Sequence, residues 1–258
     1  MPMIQETVTF LNSKGEQLHG VIRVPEGNGK FPAVVICHGF DSNKDNEFIF
    51  SLWDNISRAG FVCMRFDFTG HGESKGSFRD FTITQEIRDV KNAVELLKTS
   101  GVVNEKKIFL IGHSLGASVA ILAASEEKIK AVVAISGIAR LDDFISSKFS
   151  EHQIAEWKRK GYVQFYDFDE LSTELLKDIE KHDILSAAGR LKCPLLIMHG
   201  TDDTSVPSEN AKEIFYHAKD IRKLELIEGA DHRFTAPAHR EELISMITGF
   251  LAANLKMK

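Results

Sequence analysis

The chain has 258 residues, of which 43% are hydrophobic and 27% charged, and a formal net charge of -5. A chain of this length can bury the core of one large domain without a second one. The negative charge gives no reason to expect nucleic acid or an anionic membrane as a partner. The first nine residues are polar and acidic, and no apolar run approaches the roughly 20 residues that span a bilayer. We therefore expect a soluble, cytoplasmic protein, without membrane insertion, that binds a small molecule.

The cysteine and histidine patterns argue against metals and cofactors. Cys37, Cys63 and Cys193 lie in or beside apolar strand-like runs without CxxC spacing, which is typical of buried free thiols in a reducing compartment. Histidines and acids show no metal-ligand spacing such as HExxH. A Gly-His-Gly turn at 70–72 lacks the third glycine and the helix of a dinucleotide fingerprint. We expect no cofactor and no metal.

The predicted elements begin with two short strands, joined by a turn at 12–15. Beyond them, near-continuous apolar runs alternate with amphipathic stretches, as in a parallel sheet covered on both faces. The predicted strands lie at 7–11, 18–24, 33–37, 61–66, 108–111, 131–135, 195–198 and 224–227. The predicted helices lie at 47–59, 84–99, 115–124 and 240–254. The fold class is therefore α/β, with a mostly parallel, doubly wound sheet of about eight strands.

One segment is far longer than a strand-to-strand crossover needs. We interpret 137–191 as an inserted small helical cap over the strand ends, and 1–136 with 192–258 as the core. The cap contains seven aromatic residues: Phe144, Phe149, Trp157, Tyr162, Phe165, Tyr166 and Phe168. Most of these side chains are expected to pack the insertion onto the core. The candidates for substrate binding are Trp157, Tyr162, Phe165 and Tyr166.

A glycine-flanked serine lies between a predicted strand and a predicted helix. Gly-His-Ser-Leu-Gly at 112–116 follows the strand at 108–111 and precedes a run of small residues. Strand, serine turn and helix together form a nucleophile elbow, in which the helix N-terminus faces developing negative charge. Ser114 is therefore the candidate nucleophile of a serine hydrolase.

The same pentapeptide pattern occurs a second time, as Gly-Glu-Ser-Lys-Gly at 72–76. Here a polar, glycine-rich loop separates the serine from its strand, and a charged stretch follows instead of a helix. We therefore expect Ser74 to brace a loop.

A serine nucleophile needs a general base and a carboxylate that orients this base. The strand at 195–198 ends in His-Gly-Thr-Asp-Asp-Thr-Ser-Val-Pro at 199–207, which offers Asp202 and Asp203 as the acid. After the strand at 224–227, Gly-Ala-Asp-His-Arg-Phe at 229–234 offers His232 as the base. His217 and His239 are weaker alternatives because both lie in helix-like sequence.

These motifs resemble the α/β-hydrolase superfamily over nearly the whole chain. The matching segments are His-Gly-Phe at 38–40, Asp-Phe-Thr-Gly-His-Gly-Glu-Ser at 67–74, and the motifs at 112–116, 199–207 and 229–232. The small cap and the spacing of the catalytic motifs look most like the cinnamoyl or feruloyl esterases and neighbouring carboxylesterases. The resemblance implies Ser114, Asp203 and His232 as the catalytic triad. It also implies the backbone N–H groups of Phe40 and Leu115 as the oxyanion hole.

The resemblance implies a carboxylic ester hydrolase that forms an acyl-enzyme on small to mid-sized esters, with hydroxycinnamoyl (feruloyl) esters among the candidates. A thioesterase, or a peptidase or amidase, uses the same machinery and remains an alternative. In a peptidase, Glu151, Glu156 or Asp169 would bind a substrate amino terminus. The intact triad argues against a further alternative, a non-catalytic small-molecule-binding protein. Whether the chain forms a homodimer is left open.

Overall fold

Ten strands are present in the computed structural model, which describes residues 2–165, 169–219 and 222–256. They are β1 (Met3–Leu11), β2 (Gln17–Pro25), β3 (Phe31–Cys37), β4 (Val62–Phe66), β5 (Val103–His113), β6 (Ala131–Ile135), β7 (Tyr162–Phe165), β8 (Asp169–Ser172), β9 (Leu195–Gly200) and β10 (Arg222–Ile227). Eight of them form one sheet in the order β1-β2-β4-β3-β5-β6-β9-β10, while β7 and β8 form a separate hairpin. The pairs β1–β2 and β2–β4 are antiparallel, and the other pairs of the large sheet are parallel.

Helices cover both faces of this sheet. They are α1 (Glu47–Arg58), α2 (Ile83–Thr99), α3 (Leu115–Glu126), α4 (Leu141–Lys148), α5 (Glu151–Lys160), α6 (Glu174–Ile179), α7 (Ile184–Arg190), α8 (Glu209–His217) and α9 (Pro237–Lys256). Because side chains alternate along a strand, Ala33 and Val35 of β3 pack with α2 and α3, whereas Val34 and Ile36 pack with α1 and α9. This arrangement confirms the predicted doubly wound, mostly parallel sheet of eight strands. No helix in the described ranges is both long and apolar enough to cross a bilayer.

The first strand is longer than predicted. Pairing between β1 and β2 runs without interruption from Met3 opposite Pro25 to Leu11 opposite Gln17. The residues at 3–6 are largely exposed, so they carry no alternation of buried and exposed side chains. Backbone hydrogen bonds, which a hydrophobic pattern does not report, extend this edge strand.

The inserted segment is only partly helical. The segment at 137–191 contains α4 to α7, but also the hairpin of β7 and β8, which the sequence analysis did not predict. An ion pair between Arg79 and Glu170 links this hairpin to a short 3-10 helix, Phe78–Asp80, of the core. By contrast, α7 packs against α3 and α8. The helix α7 therefore packs with the helical layer of the sheet, and the division into a core and a cap at 137–191 stays a prediction.

A buried ion pair ties together the loops that follow β3 and β4. The Lys44 side chain is only 3% exposed, and its Nζ lies 2.9 Å from the Asp67 carboxylate and 2.5 Å from that of Glu73. Asp67 is fully buried and accepts hydrogen bonds from the backbone N–H groups of Lys44 and Glu73. The contact between these loops fixes the segment that contains the second Gly-x-Ser-x-Gly match.

We expect Lys44→Met to lower the free energy of unfolding by about 3–5 kcal/mol, because it leaves the Asp67 carboxylate buried without its cation. Urea denaturation at neutral pH measures this change. Lys91→Met is the matched control, since Lys91 forms an ion pair with Glu126 on the surface and its loss should cost only about 0–1 kcal/mol. Similar small losses in both variants would contradict the dependence of Asp67 on Lys44.

Candidate active site

Ser114 alone forms the turn between β5 and α3. Its backbone angles are φ 56° and ψ -126°, in a region that L-residues rarely adopt and that costs about 1–3 kcal/mol. The Ser114 N–H donates to the Ile135 carbonyl of β6 at 2.8 Å, and its carbonyl accepts from the Ala117 N–H of α3 at 3.0 Å. The surrounding strand and helix therefore hold the serine in the strained geometry of a nucleophile elbow.

Glycines around Ser114 let three backbone segments meet. A Cβ on Gly112 would lie 2.2 Å from the Gly116 carbonyl oxygen, and a Cβ on Gly116 would lie 2.2 Å from the His38 carbonyl oxygen. A Cβ on Gly39 would lie 2.9 Å from the Ser114 Cβ. Only glycine fits at the first two positions. The loop at 38–40 is thereby held against the serine.

The two N–H groups predicted for the oxyanion hole belong to these segments. Leu115 is the first residue of α3, so its N–H has no acceptor within the helix. Phe40 follows Gly39, whose Cα approaches Ser114 from the end of β3. The structure thus brings both predicted residues to the neighbourhood of Ser114, and the oxyanion-hole role remains a prediction.

His232 and Asp203 form a direct hydrogen bond. The His232 Nδ1 donates to Asp203 Oδ2 at 2.7 Å, so that its Nε2 remains available to accept a proton. The Asp203 side chain is fully buried, whereas 16% of the His232 side chain is exposed. Asp202, the other acid left open by the sequence, is exposed, and its carboxylate accepts a long hydrogen bond from the Thr201 hydroxyl, at 3.4 Å. The geometry therefore favours Asp203 as the partner of the base.

Asp203 is saturated with hydrogen-bond donors. Its Oδ1 accepts from the backbone N–H groups of Ser205 and Val206 at 2.9 and 2.8 Å, and its Oδ2 accepts from His232 and His199. Burial opposes ionisation of this carboxyl. The hydrogen bonds, those from His199 and His232 first, outweigh burial and hold the pKa of Asp203 well below its ordinary value. Asp203 is therefore an anion that can orient the imidazole at any pH near neutrality.

His113 holds the backbone of the base. Because a carbonyl oxygen can only accept, the His113 Nε2–H donates to the His232 carbonyl, at 2.8 Å. Burial, together with the nearby His232 ring, lowers the pKa of His113 to about 3. The ring is therefore neutral over the working pH range and keeps this hydrogen bond. The sequence analysis assigned no such role to His113, because a motif does not show which distant loop its residue contacts.

The alternatives from the sequence analysis lie elsewhere. The Ser74 hydroxyl donates to the Asp67 carbonyl at 2.6 Å and accepts from the His19 N–H at 2.9 Å, so it braces a loop. His217 is exposed on α8 and bonds to the Glu213 carbonyl. Neither His217 nor His239, in the first turn of α9, lines the cavity that contains Ser114.

A cavity of about 370 Å³ contains both Ser114 and His232. One part of its wall is aromatic and is formed by Phe40, Phe144 and Phe165. Apart from Val206, the rest is polar and consists of Asp41, Lys148, Thr204, Ser205, Asp231, Arg233 and Thr235. An apolar wall beside a few polar groups is typical of a small-molecule site.

Phe40 is the centre of an aromatic cluster. Its ring centroid lies 5.1 Å from that of Phe165, 5.3 Å from those of Phe144 and Phe81, and 5.5 Å from that of Phe78. Edge-to-face and tilted pairs at these distances stabilise one another. Phe40 therefore contributes its ring to the cavity wall, in addition to a backbone N–H beside the serine.

Of the three predicted substrate-binding residues that the structure describes, it brings only Phe165 to the cavity. Trp157 is fully buried against Phe149 inside the insertion, and Tyr162 is partly exposed and lies under the Arg79 guanidinium. The predictions for Trp157 and Tyr162 are thus corrected. For Tyr162 the prediction assumed a helical cap, but in β7 the residues at 163 and 165 share one face while Tyr162 points the other way. Trp157 does lie on a helix, α5, but its ring packs inside the insertion. Tyr166 lies outside the described residues.

Phe144 and Lys148 line the cavity, although the sequence analysis did not select them as substrate-binding residues. They lie four residues apart on α4, and therefore on one face of that helix. This spacing was visible in the sequence. The sequence did not show which face of α4 turns toward Ser114, so it could not identify the two residues as part of the cavity wall.

Comparison with known protein families assigns this chain to one of them. Residues 48–258 match the prolyl oligopeptidase family, peptidase family S9. The chain belongs to the prolyl oligopeptidase family. It is accordingly a hydrolase of the α/β-hydrolase superfamily, as the motifs predicted.

Several proteins of known sequence or structure are similar to this chain. An uncharacterized 31.7 kDa protein of Escherichia coli is 25% identical over 245 residues, 81% of this chain and 85% of that protein. The mitochondrial palmitoyl-protein thioesterase ABHD10 of Bos taurus is 24% identical and covers 85% of this chain and 72% of its own. The structure of Est1E from Butyrivibrio proteoclasticus with bound ferulic acid has a TM-score of 0.85 at 24% identity, covering 97% of this chain and all of that one. The Pyrococcus furiosus esterase Pf2001 has a TM-score of 0.75 at 26% identity, covering 98% and 91%.

We expect Asp203→Asn to lower hydrolysis of p-nitrophenyl acetate by about 10³–10⁴-fold, because the amide no longer fixes the His232 tautomer. Asp202→Asn is the matched control and should leave the rate near that of the unsubstituted protein. Steady-state kinetics at pH 7.5 measures both rates. Equal, mild losses would mean that the catalytic carboxylate comes from another residue.

Proposed function

We propose that this protein is a serine carboxylic ester hydrolase that acts through an acyl-enzyme on small to mid-sized esters. One observation carries the proposal. The His232 imidazole, oriented by the 2.7 Å hydrogen bond to Asp203, lines the same cavity as Ser114 on its strained turn. A nucleophile, a base and an acid on the ends of three strands are the set that acyl transfer needs.

The proposed reaction uses each group in a defined role. The His232 Nε2 accepts the Ser114 proton as the oxygen attacks the ester carbonyl, and Asp203 stabilises the imidazolium that forms. His232 then donates this proton to the departing alcohol. A water molecule repeats the sequence on the acyl-enzyme and releases the acid. The Phe40 and Leu115 N–H groups would bind the oxyanion, and each such donor typically contributes about 10²–10³ in rate.

The size and the lining of the cavity argue for a substrate with a mid-sized apolar or aromatic acyl group. Its volume of about 370 Å³ lies at the lower end of ordinary small-molecule sites. The wall of Phe40, Phe144 and Phe165 offers rings against which an aromatic acyl group can pack. Hydroxycinnamoyl esters are therefore our proposed substrate class. The ferulic acid in the structurally similar Est1E supports this choice through the shared fold.

A thioesterase is the second candidate, because a relative named as a palmitoyl-protein thioesterase aligns over most of this chain.

A peptidase has less support, because two of the acidic residues suggested to bind a substrate amino terminus are engaged or lie away from the cavity. Glu156 forms ion pairs with Arg159 and Lys160, Glu151 is exposed, and neither lines the cavity. The Asp169 side chain lies outside the described part of the structure.

We also propose a cytoplasmic location, supported by the state of the cysteines. Cys37, Cys63 and Cys193 are free thiols. Burial raises the pKa of the Cys193 thiol to about 11 and raises those of the other two still further. Buried thiols with raised pKa values react slowly and fit a reducing compartment.

We expect Ser114→Ala to abolish hydrolysis of short p-nitrophenyl esters while the melting temperature stays the same or rises, because the reaction loses its nucleophile and the fold loses no packing. Ser74→Ala is the matched control. It removes a loop hydrogen bond and should retain activity at a lower melting temperature. Retention of activity by Ser114→Ala together with its loss in Ser74→Ala would overturn the assignment.

We expect Phe144→Leu to raise KM for methyl ferulate about two- to tenfold, the contribution of one aromatic pair, with little change for p-nitrophenyl acetate. The control is Phe149→Leu, which alters a buried ring that does not line the cavity.

A substrate panel that adds an acyl thioester and an aminoacyl anilide to the two esters tests the proposed reaction class. Faster turnover of the thioester or the anilide than of both esters would contradict the proposed reaction class.

A further inference from the structure

A second histidine contacts the carboxylate oxygen that orients the base. His199, at the end of β9, is completely buried, and its Nε2 lies 3.1 Å from Asp203 Oδ2. The same oxygen accepts the hydrogen bond from His232 Nδ1. Two imidazole rings therefore share one oxygen of the catalytic acid.

The proton of His199 is fixed on the nitrogen that faces Asp203. His199 Nε2 also lies 2.8 Å from the Val206 carbonyl oxygen, which can only accept. Nε2 must therefore carry the hydrogen, which it shares between this carbonyl and Asp203. Within the described residues the other nitrogen, Nδ1, makes no hydrogen bond. His199 is thus a donor toward Asp203 and cannot accept a proton from it at this nitrogen.

Without His199, one side of the carboxylate would lose its fixed support. The backbone N–H groups of Ser205 and Val206 hold Oδ1. Among the residues that the structure describes, His232 alone would then hold Oδ2, and His232 is the side chain that Asp203 has to orient. His232 must also adjust during proton transfer between serine and leaving group, so it cannot serve as a fixed support. The buried His199 ring, on the strand β9 that pairs with β6 on one side and β10 on the other, does not share that motion.

The strand end that carries His199 is itself held tightly. A Cβ on the next residue, Gly200, would lie 2.1 Å from the Ala230 carbonyl oxygen, two residues before the base. The Asp202 N–H donates to the same carbonyl at 3.0 Å. The loops that carry the acid and the base are therefore in backbone contact, with the His199 ring buried beneath the acid.

We propose that His199 is a positioning residue that fixes Asp203 Oδ2 for its hydrogen bond to His232. The inference rests on the proposed serine hydrolase function and extends it to a residue outside the catalytic triad. His199 does not line the cavity with Ser114, so it acts through Asp203 and not through substrate.

The test compares His199→Phe, which removes the donor, with His199→Gln, whose side-chain amide restores one. On p-nitrophenyl acetate, loss of a hydrogen bond to a charged group predicts a fall in kcat of about ten- to hundredfold for the Phe variant, with KM unchanged. The Gln variant should recover most of this loss. If the Phe variant does not fold, His199→Met fills the space without a donor and takes its place. Unchanged kcat without the donor, or equal loss in both variants, overturns the inference.

A double variant tests whether His199 acts through Asp203. In an Asp203→Asn background, His199→Phe should cost no further activity, whereas multiplicative losses overturn the inference. The rate at which a fluorophosphonate labels Ser114 provides a readout that requires no ester substrate. If the unsubstituted protein labels but hydrolyses no ester, the proposed function fails. The ratio of labelling rates between His199→Gln and His199→Phe, expected to favour Gln, still decides the role of His199.

Discussion

The site depends on one steric constraint, the approach of three backbone segments around Ser114. A side chain at position 116 would collide with the His38 carbonyl oxygen. A side chain at position 112 would collide with the Gly116 carbonyl oxygen. This contact forces the serine into its left-handed conformation. The strain is offset by α3, in which the residues at 115–124 are all buried between the sheet and its neighbouring helices. Packing therefore sets the positions of the Ser114 nucleophile, the N-terminus of α3 and the loop that contains Phe40.

The parallel sheet brings the acid and base to the same edge. The neighbouring strands β9 and β10 run in register, so their following loops emerge side by side. Asp203 lies in one loop and His232 in the other, and buried histidines support both. His113 holds the His232 carbonyl, and His199 contacts the Asp203 carboxylate. The reacting side chains therefore rest on groups that do not themselves touch the cavity.

Much of the core was predictable because its signals are local. The glycines around Ser114 and the apolar strands before Asp203 and His232 place all three residues at strand ends. These patterns are short and do not depend on contacts with distant parts of the chain. The two matches to the serine pattern also differ in local context, since Ser74 lies in a loop fixed by the buried Lys44 and Asp67 pair.

The cavity wall was less predictable because it depends on which way side chains face across distant elements. Composition alone does not reveal that 162–165 form a strand of a hairpin, or that the Trp157 ring on α5 packs against Phe149 inside the insertion. The contacts of the buried histidines were hidden for a related reason. His199 and Asp203 are close in sequence, but which ring nitrogen faces the carboxylate is set by the fold of the loop between them.

The most direct test of the central claim is to map the site of covalent labelling by a fluorophosphonate. The native protein would be labelled, digested and analysed by mass spectrometry, and the modified residue identified by fragmentation. The structure predicts one adduct, on Ser114, because at this serine a strained turn and an oriented imidazole share one cavity. A folded protein that takes no label, or that carries it on Ser74, would contradict the account.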